Sequence, residues 1–261
     1  NKNLSQIMKI FRIVLLLCLF VYVAFYTKLQ RLESMDWADS LEVSIYPINA
    51  GGNESTDHYI QTLTTDKFGG IETFFNKQWG DYHEVDFQPV TLTLKPPVLS
   101  QPPSPPTDGH VINIMLWSLR LRLWSYQNSV GDDKSTVTIF VRYFPVNNHE
   151  KLAHSLGLQK GLIGVVNGYA SDDYQEQNHV VIAHELLHTV GATDKYDLTS
   201  GQPLYPTGFA VPSARYSQTK AEIMAGKIPI NEKESMMPSS LRQCVIGHQT
   251  ATEIGWLDGD V

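Results

Sequence analysis

The stretch HELLHTVGATDKYD, residues 184–197, decides how the rest of the chain is read. In a helix, residues four apart lie about 40° from one another around the axis, so His184 and His188 project from one face and can bring two imidazole nitrogens to one cation. Glu185 is offset by one position and does not easily join them as a ligand. Its carboxylate can instead reach a water in an open coordination position and take its proton. Ala183, Leu186, Leu187 and Val190 follow the i, i+3, i+4, i+7 pattern that buries a helix against a core. Gly191 can end the helix in a left-handed conformation and turn the chain back toward the metal. That makes Asp194 the leading third ligand and Asp197 the second. Two His and one carboxylate suit a tetrahedral zinc site with one open position. Compared with a third imidazole, the anionic ligand cancels one unit of metal charge, which leaves a bound water less acidified and Glu185 more necessary.

Ligands and turn together spell HExxHxxGxxD, and here the sequence resembles the metzincin zinc endopeptidases. Most metzincins have a third His where this chain has Asp194; the Asp form is similar to that of the snapalysin-type minimal metzincins. The resemblance covers residues 161–261, whereas residues 28–130 carry none. It implies an α/β (α+β) domain with a mixed twisted sheet, an active-site helix and a C-terminal helix. It also implies Zn²⁺ as cofactor, a protein or peptide substrate, and Glu185 as general base. A methionine turn beneath the metal is implied too, for which AEIMAG (221–226) supplies Met224, with Met236 and Met237 of ESMMPSS as alternatives. Substrate would run antiparallel to an edge strand ahead of the active helix, taken as LIGVVNGYA (162–170). Either Tyr196 or Tyr216 would donate to the oxyanion. The stretch SSLRQCVIGHQTATEIGW reads as the closing helix, with Leu241, Val245, His248 and Ile254 near one face and His248 in a structural role.

Upstream, IVLLLCLFVYVAFY (13–26) is free of charge and follows Lys2, Lys9 and Arg12. Extended back to Ile7 it reaches about 20 residues, the length that spans a bilayer. Bulky Phe25 and Tyr26 replace the small residues of a processing site, so the run reads as an uncleaved signal anchor over 7–27. Three basic residues before it, against Lys28 and Arg31 after it, predict residues 1–6 on the cytoplasmic side. A polar stalk (28–40) and an extracytoplasmic domain (41–261), periplasmic or extracellular, then follow. The lipid bilayer is an expected partner. The alternative function is a non-catalytic scaffold or binding subunit of a membrane complex, against which the intact Glu185 argues.

Composition narrows the rest. With 42% hydrophobic residues in 261, the chain can bury a sizeable core. A formal net charge of −7 without long Lys/Arg blocks provides no electrostatic footprint for nucleic acid. Cys18 and Cys244 give no disulfide framework. LEVSIYPI (41–48), VTLTLK (90–95), STVTIFVRYF (135–144) and residues 162–170 read as strands. STDHYIQTLTTDKF and GGIETFFNKQWGDY read as helices divided at Gly69-Gly70. The proline-rich segment 96–106 excludes helix and central strand and reads as an exposed loop. In HVINIMLWSLRLRLWSYQN, Ile112, Leu116, Leu119, Leu123 and Tyr126 form a helical stripe expected to face the core, widened by Trp117 and Trp124.

Overall fold

The computed structural model describes residues 36–129, 137–146, 155–158 and 162–258, with isolated positions between 6 and 21. Strands β1 (Leu41–Asn49), β2 (Val90–Leu94), β3 (Val137–Phe144), β4 (Leu156–Leu158) and β5 (Ile163–Tyr169) form one sheet in the order β2-β1-β3-β5-β4. β1, β2, β3 and β5 run parallel, and β4 pairs antiparallel with β5. The domain is therefore mixed α/β, with a four-strand parallel sheet carrying one antiparallel edge strand. Parallel neighbours require crossover connections, which here carry helices α1 (Glu54–Gln61), α2 (Gly69–Gly80) and α3 (Val111–Asn128). Asn53 starts α1 by accepting the Thr56 N–H at 2.9 Å. Helix α4 (Gln175–Thr189) follows β5 and carries the histidines.

Side-chain alternation divides the strands between two faces. Val43, Ile45, Ile139, Val141 and Val166 enter the main core with α2 and α4, where Ile182, Ala183, Leu186 and Leu187 are all but fully buried. Tyr46, Ile48, Phe140, Ile163 and Val165 face the opposite side, on which α3 lies. Parallel strands buried on both faces explain why β1, β3 and β5 read as near-continuous apolar runs.

Three expectations are corrected. The stripe Ile112, Leu116, Leu119, Leu123 and Tyr126 of α3 faces outward; Trp117, Leu121 and Ser125, on the other side of the helix, are the buried residues. Trp124 packs at 4.6 Å on Phe140. Both sides of α3 are apolar, so periodicity alone did not choose between them. Second, β5 is not the free edge: β4 covers Ile163–Val165, and the outer rim on that side belongs to β4. Third, the closing helix is only α5 (His248–Glu253), because Cys244–Val245 instead extends as a strand that pairs with Ala221–Glu222. Leu241 starts a short 3₁₀ turn, and His248 is exposed.

Packing reaches ahead of β1 into the segment read as stalk. Trp37 is buried against Trp79 and Trp256, and its indole N–H donates to the Ile254 carbonyl at 2.6 Å. Among the described residues no helix is long and apolar enough to cross a membrane, and most of the run 7–27 lies outside them.

Candidate metal centre

Helix α4 is held at both ends. At its start the Asn178 amide clips the end of β5, accepting the Tyr169 N–H at 3.0 Å and donating to the Tyr169 carbonyl at 2.9 Å. Midway, Gly164 of β5 makes room for a β3 side chain: a Cβ there would come 2.6 Å from Ile139 Cδ1, while Glu185 Cβ on the helix would stand at an ordinary 3.9 Å. At its end Gly191 takes φ 114°, a conformation that side chains disfavour, and the chain reverses. The Ala192 N–H then closes on the Leu187 carbonyl at 3.0 Å.

This turn brings Asp194 over the histidine face. His184 Nε2 and His188 Nε2 lie 3.1 Å apart, and Asp194 Oδ1 stands 3.4 Å from the first and 3.1 Å from the second. Among the described residues these three form the group of potential ligands whose donor atoms converge. Asp197, the alternative, is exposed and occupied elsewhere. Its Oδ1 accepts from the Ser200 N–H, the Ser200 hydroxyl and the Thr199 N–H.

The ring tautomers follow from the partners. His184 Nδ1 donates to the Ile223 carbonyl and His188 Nδ1 to the Ala192 carbonyl, both at 2.9 Å, because a carbonyl can only accept. Each neutral ring is thus left with its Nε2 lone pair toward the other ring and toward a carboxylate oxygen. Three electron-rich atoms meeting in this way could hold a cation. Tetrahedral zinc, with ligand bonds of about 2.0–2.1 Å, separates its ligand atoms by about 3.3 Å, close to the spacings here. The residues fit zinc in donor type, number and spacing. The local field agrees: burial lowers the His184 pKa, but Asp194, Glu185 and the Ile223 carbonyl outweigh it and the net shift is upward. Burial raises the Asp194 carboxyl, yet the two imidazoles beside it outweigh burial and hold it well below the ordinary range.

Around this triangle stand the remaining candidates. Glu185 is buried, and its charge acts on both His184 and Tyr196. The Tyr196 phenol is pushed up to about 12 by burial, by the Asp194 charge and hydrogen bond, and by Glu185, so it stays a donor at neutral pH. Tyr216 packs instead at 5.6 Å on Phe209, with the Arg215 guanidinium also 5.6 Å from its ring. Met224 is fully buried in a 3₁₀ turn (Ile223–Ala225) closed by left-handed Gly226, whereas Met236 and Met237 are exposed.

That turn orients His184 and the segment carrying Asp194 through consecutive carbonyls. Ile223 O accepts from His184, and Met224 O accepts the Lys195 N–H at 2.9 Å, next to Asp194. The turn is itself tied down by Glu222, a buried carboxylate. Its Oε2 accepts the Ala225 N–H at 3.1 Å; its Oε1 accepts the Gly247 N–H at 3.1 Å and the Thr250 hydroxyl at 2.7 Å. Glu253 of α5 grips the other side of the Asp194 segment, accepting from Thr193 N–H (2.8 Å), Thr193 Oγ1 (2.9 Å) and Lys195 Nζ (2.6 Å). Neither glutamate was singled out in the sequence. Glu222 caps its own turn through Ala225, but its bonds to Gly247 and Thr250 and those of Glu253 to Thr193 and Lys195 cross long sequence separations that no local spacing announces.

A cavity of about 570 Å³ between Tyr82, Phe209 and Ile246 includes none of the three converging residues. Searches with protein-family models and against curated proteins find no match for this chain.

Proposed function

We propose that this protein is a membrane-anchored, zinc-dependent metalloendopeptidase of metzincin type, with residues 7–27 as its anchor and the domain on the extracytoplasmic side. The single observation that carries the reading is the convergence of His184 Nε2, His188 Nε2 and Asp194 Oδ1 beside buried Glu185. In this reading His184, His188 and Asp194 hold the metal. When bound, zinc supplies Lewis acidity, making a water more acidic and polarising the scissile carbonyl.

The chain's own groups then handle the protons. The Glu185 carboxylate takes a proton from the attacking water as the O–C bond forms, and returns it to the amide nitrogen as the C–N bond breaks. Tyr196, kept protonated, donates a hydrogen bond to the developing oxyanion. Peptide substrate extends along the outer rim of β4, where the backbone of Leu156–Leu158 has no described strand beyond it.

Mass spectrometry of the chain purified without chelator, beside Asp194→Ala and Glu185→Gln, tests the reading together with cleavage of an unstructured protein. The expected result is about one zinc per chain, diminished in Asp194→Ala. In Glu185→Gln zinc is retained while turnover falls by about 10²–10⁴-fold. A folded protein that takes up no zinc overturns the metal site. Zinc without cleavage by the unaltered chain overturns the peptidase and favours the scaffold.

A further inference from the structure

We infer that the outward face of α3 lies on the surface of an anionic lipid bilayer. At 100° per residue, Ile112, Met115, Leu116, Leu119, Leu123 and Tyr126 form one stripe diametrically opposite Trp117, Leu121 and Ser125, which hold the helix to the sheet. The stripe is open to solvent: Ile112 is 71% exposed, Leu119 57%, Leu123 59% and Tyr126 82%. A continuous aliphatic stripe of this kind marks an interaction site rather than ordinary surface. In the first turn Val111 and Ile114 are exposed as well, so apolar side chains crowd that end of the helix from several sides.

Charge selects the occupant. On the same helical projection exposed Arg120 borders the stripe, where its stem can run along apolar surface and its guanidinium reach a head-group layer, whereas Arg122 on the other border is half-buried with its Nε out of solvent. Between His110 and Gly131 the sequence has no Asp or Glu, although the whole chain carries a net charge of −7. An apolar centre with an exposed arginine on one border and no acid along the helix, Asp108 just ahead of it being hydrogen-bonded to His110 and Asn113, complements anionic lipid. Tyr126, at the helix end, joins an apolar ring to a polar hydroxyl, as residues at a bilayer interface do. Docked in this way, the bilayer contacts the side of the sheet opposite α4, and the metal centre is turned away from it. The inference does not depend on zinc or on peptide cleavage.

The test uses the full chain with Cys18→Ser and Leu119→Cys, an environment-sensitive fluorophore at position 119, and vesicles of phosphatidylcholine with or without phosphatidylglycerol. Cys244 is buried and does not label readily. The same fluorophore at Asp57→Cys, an exposed position on α1, is the aqueous control. Expected in anionic vesicles are a blue shift at 119 and quenching by doxyl-labelled lipid, both reduced by Arg120→Glu, with position 57 quenched by acrylamide only. Acrylamide quenching at 119 as strong as at 57 overturns the proposal. Shielding of 119 from both quenchers also overturns it, since a second copy or the chain's own N-terminal run then covers the face. Equal doxyl quenching in purely phosphatidylcholine vesicles overturns the selection for anionic lipid.

Discussion

The carboxylate of Glu253 meets the buried Lys195 ammonium at 2.6 Å and, through its other contacts, holds Thr193, so that one side chain of α5 grips both neighbours of Asp194. Asp194, the third member of the converging group, is therefore positioned by a segment about sixty residues downstream. Groups that orient ligands without touching the metal typically govern about 10–100-fold in metal affinity. Glu253→Gln is expected to weaken zinc binding by about that factor in a chelator competition, with the circular dichroism of the fold retained. An unchanged dissociation constant in the folded variant would remove Glu253 from the site.

The same carboxylate makes stability depend on pH. Burial raises its pKa, but Lys195 and Thr193 outweigh burial and the folded value lies below the ordinary one. An unfolded Glu titrates near about 4.3, so the unfolded state binds more protons between that value and the lower folded one. The stabilisation is complete above this window and is lost as pH falls through it. Urea unfolding in chelator should show Glu253→Gln less stable than the unaltered chain at neutral pH, with the gap closing toward pH 3. A gap independent of pH would contradict the ion pair.

Glu222 offers a second point of control. The Ala225 N–H and the Gly247 N–H, which can only donate, reach different oxygens of its carboxylate. Glu222→Gln replaces one acceptor by an NH₂ that faces a donor in a fully buried place. A loss of about 1–3 kcal/mol follows from leaving that group unsatisfied. Thermal melts should record it, and zinc affinity should fall with it, since Ile223 and Met224 in the turn orient His184 and Lys195. A melt within error of the unaltered chain would show that the turn holds without its carboxylate.

Gly164 tests how tightly β5 packs against the Ile139 side chain of β3. Gly164→Ala puts a methyl against Ile139 Cδ1, the movable end of that side chain, and is expected to destabilise by about 1 kcal/mol, the low end of overpacking costs. Ile139→Val removes that Cδ1, so the double variant should recover much of the loss and the two changes should be non-additive in denaturant unfolding. Strict additivity would place the strain elsewhere.

Sequence alone determined the parts of this protein that depend on local geometry. The helical repeat puts His184 and His188 on one face, the freedom of Gly191 turns the chain at that point, and the apolar runs become β1, β3 and β5, because in each case the relevant atoms are a few residues apart. Tertiary structure decided what depends on distant partners. It set which of two apolar faces of α3 is buried, gave the sheet edge to β4 instead of β5, drew Cys244–Val245 out of the closing helix into a strand, and turned Glu222 and Glu253 into supports of the site. A periodic pattern records that a face is apolar but not what will cover it, and a buried carboxylate acquires its donors only when segments far apart in the chain are packed together.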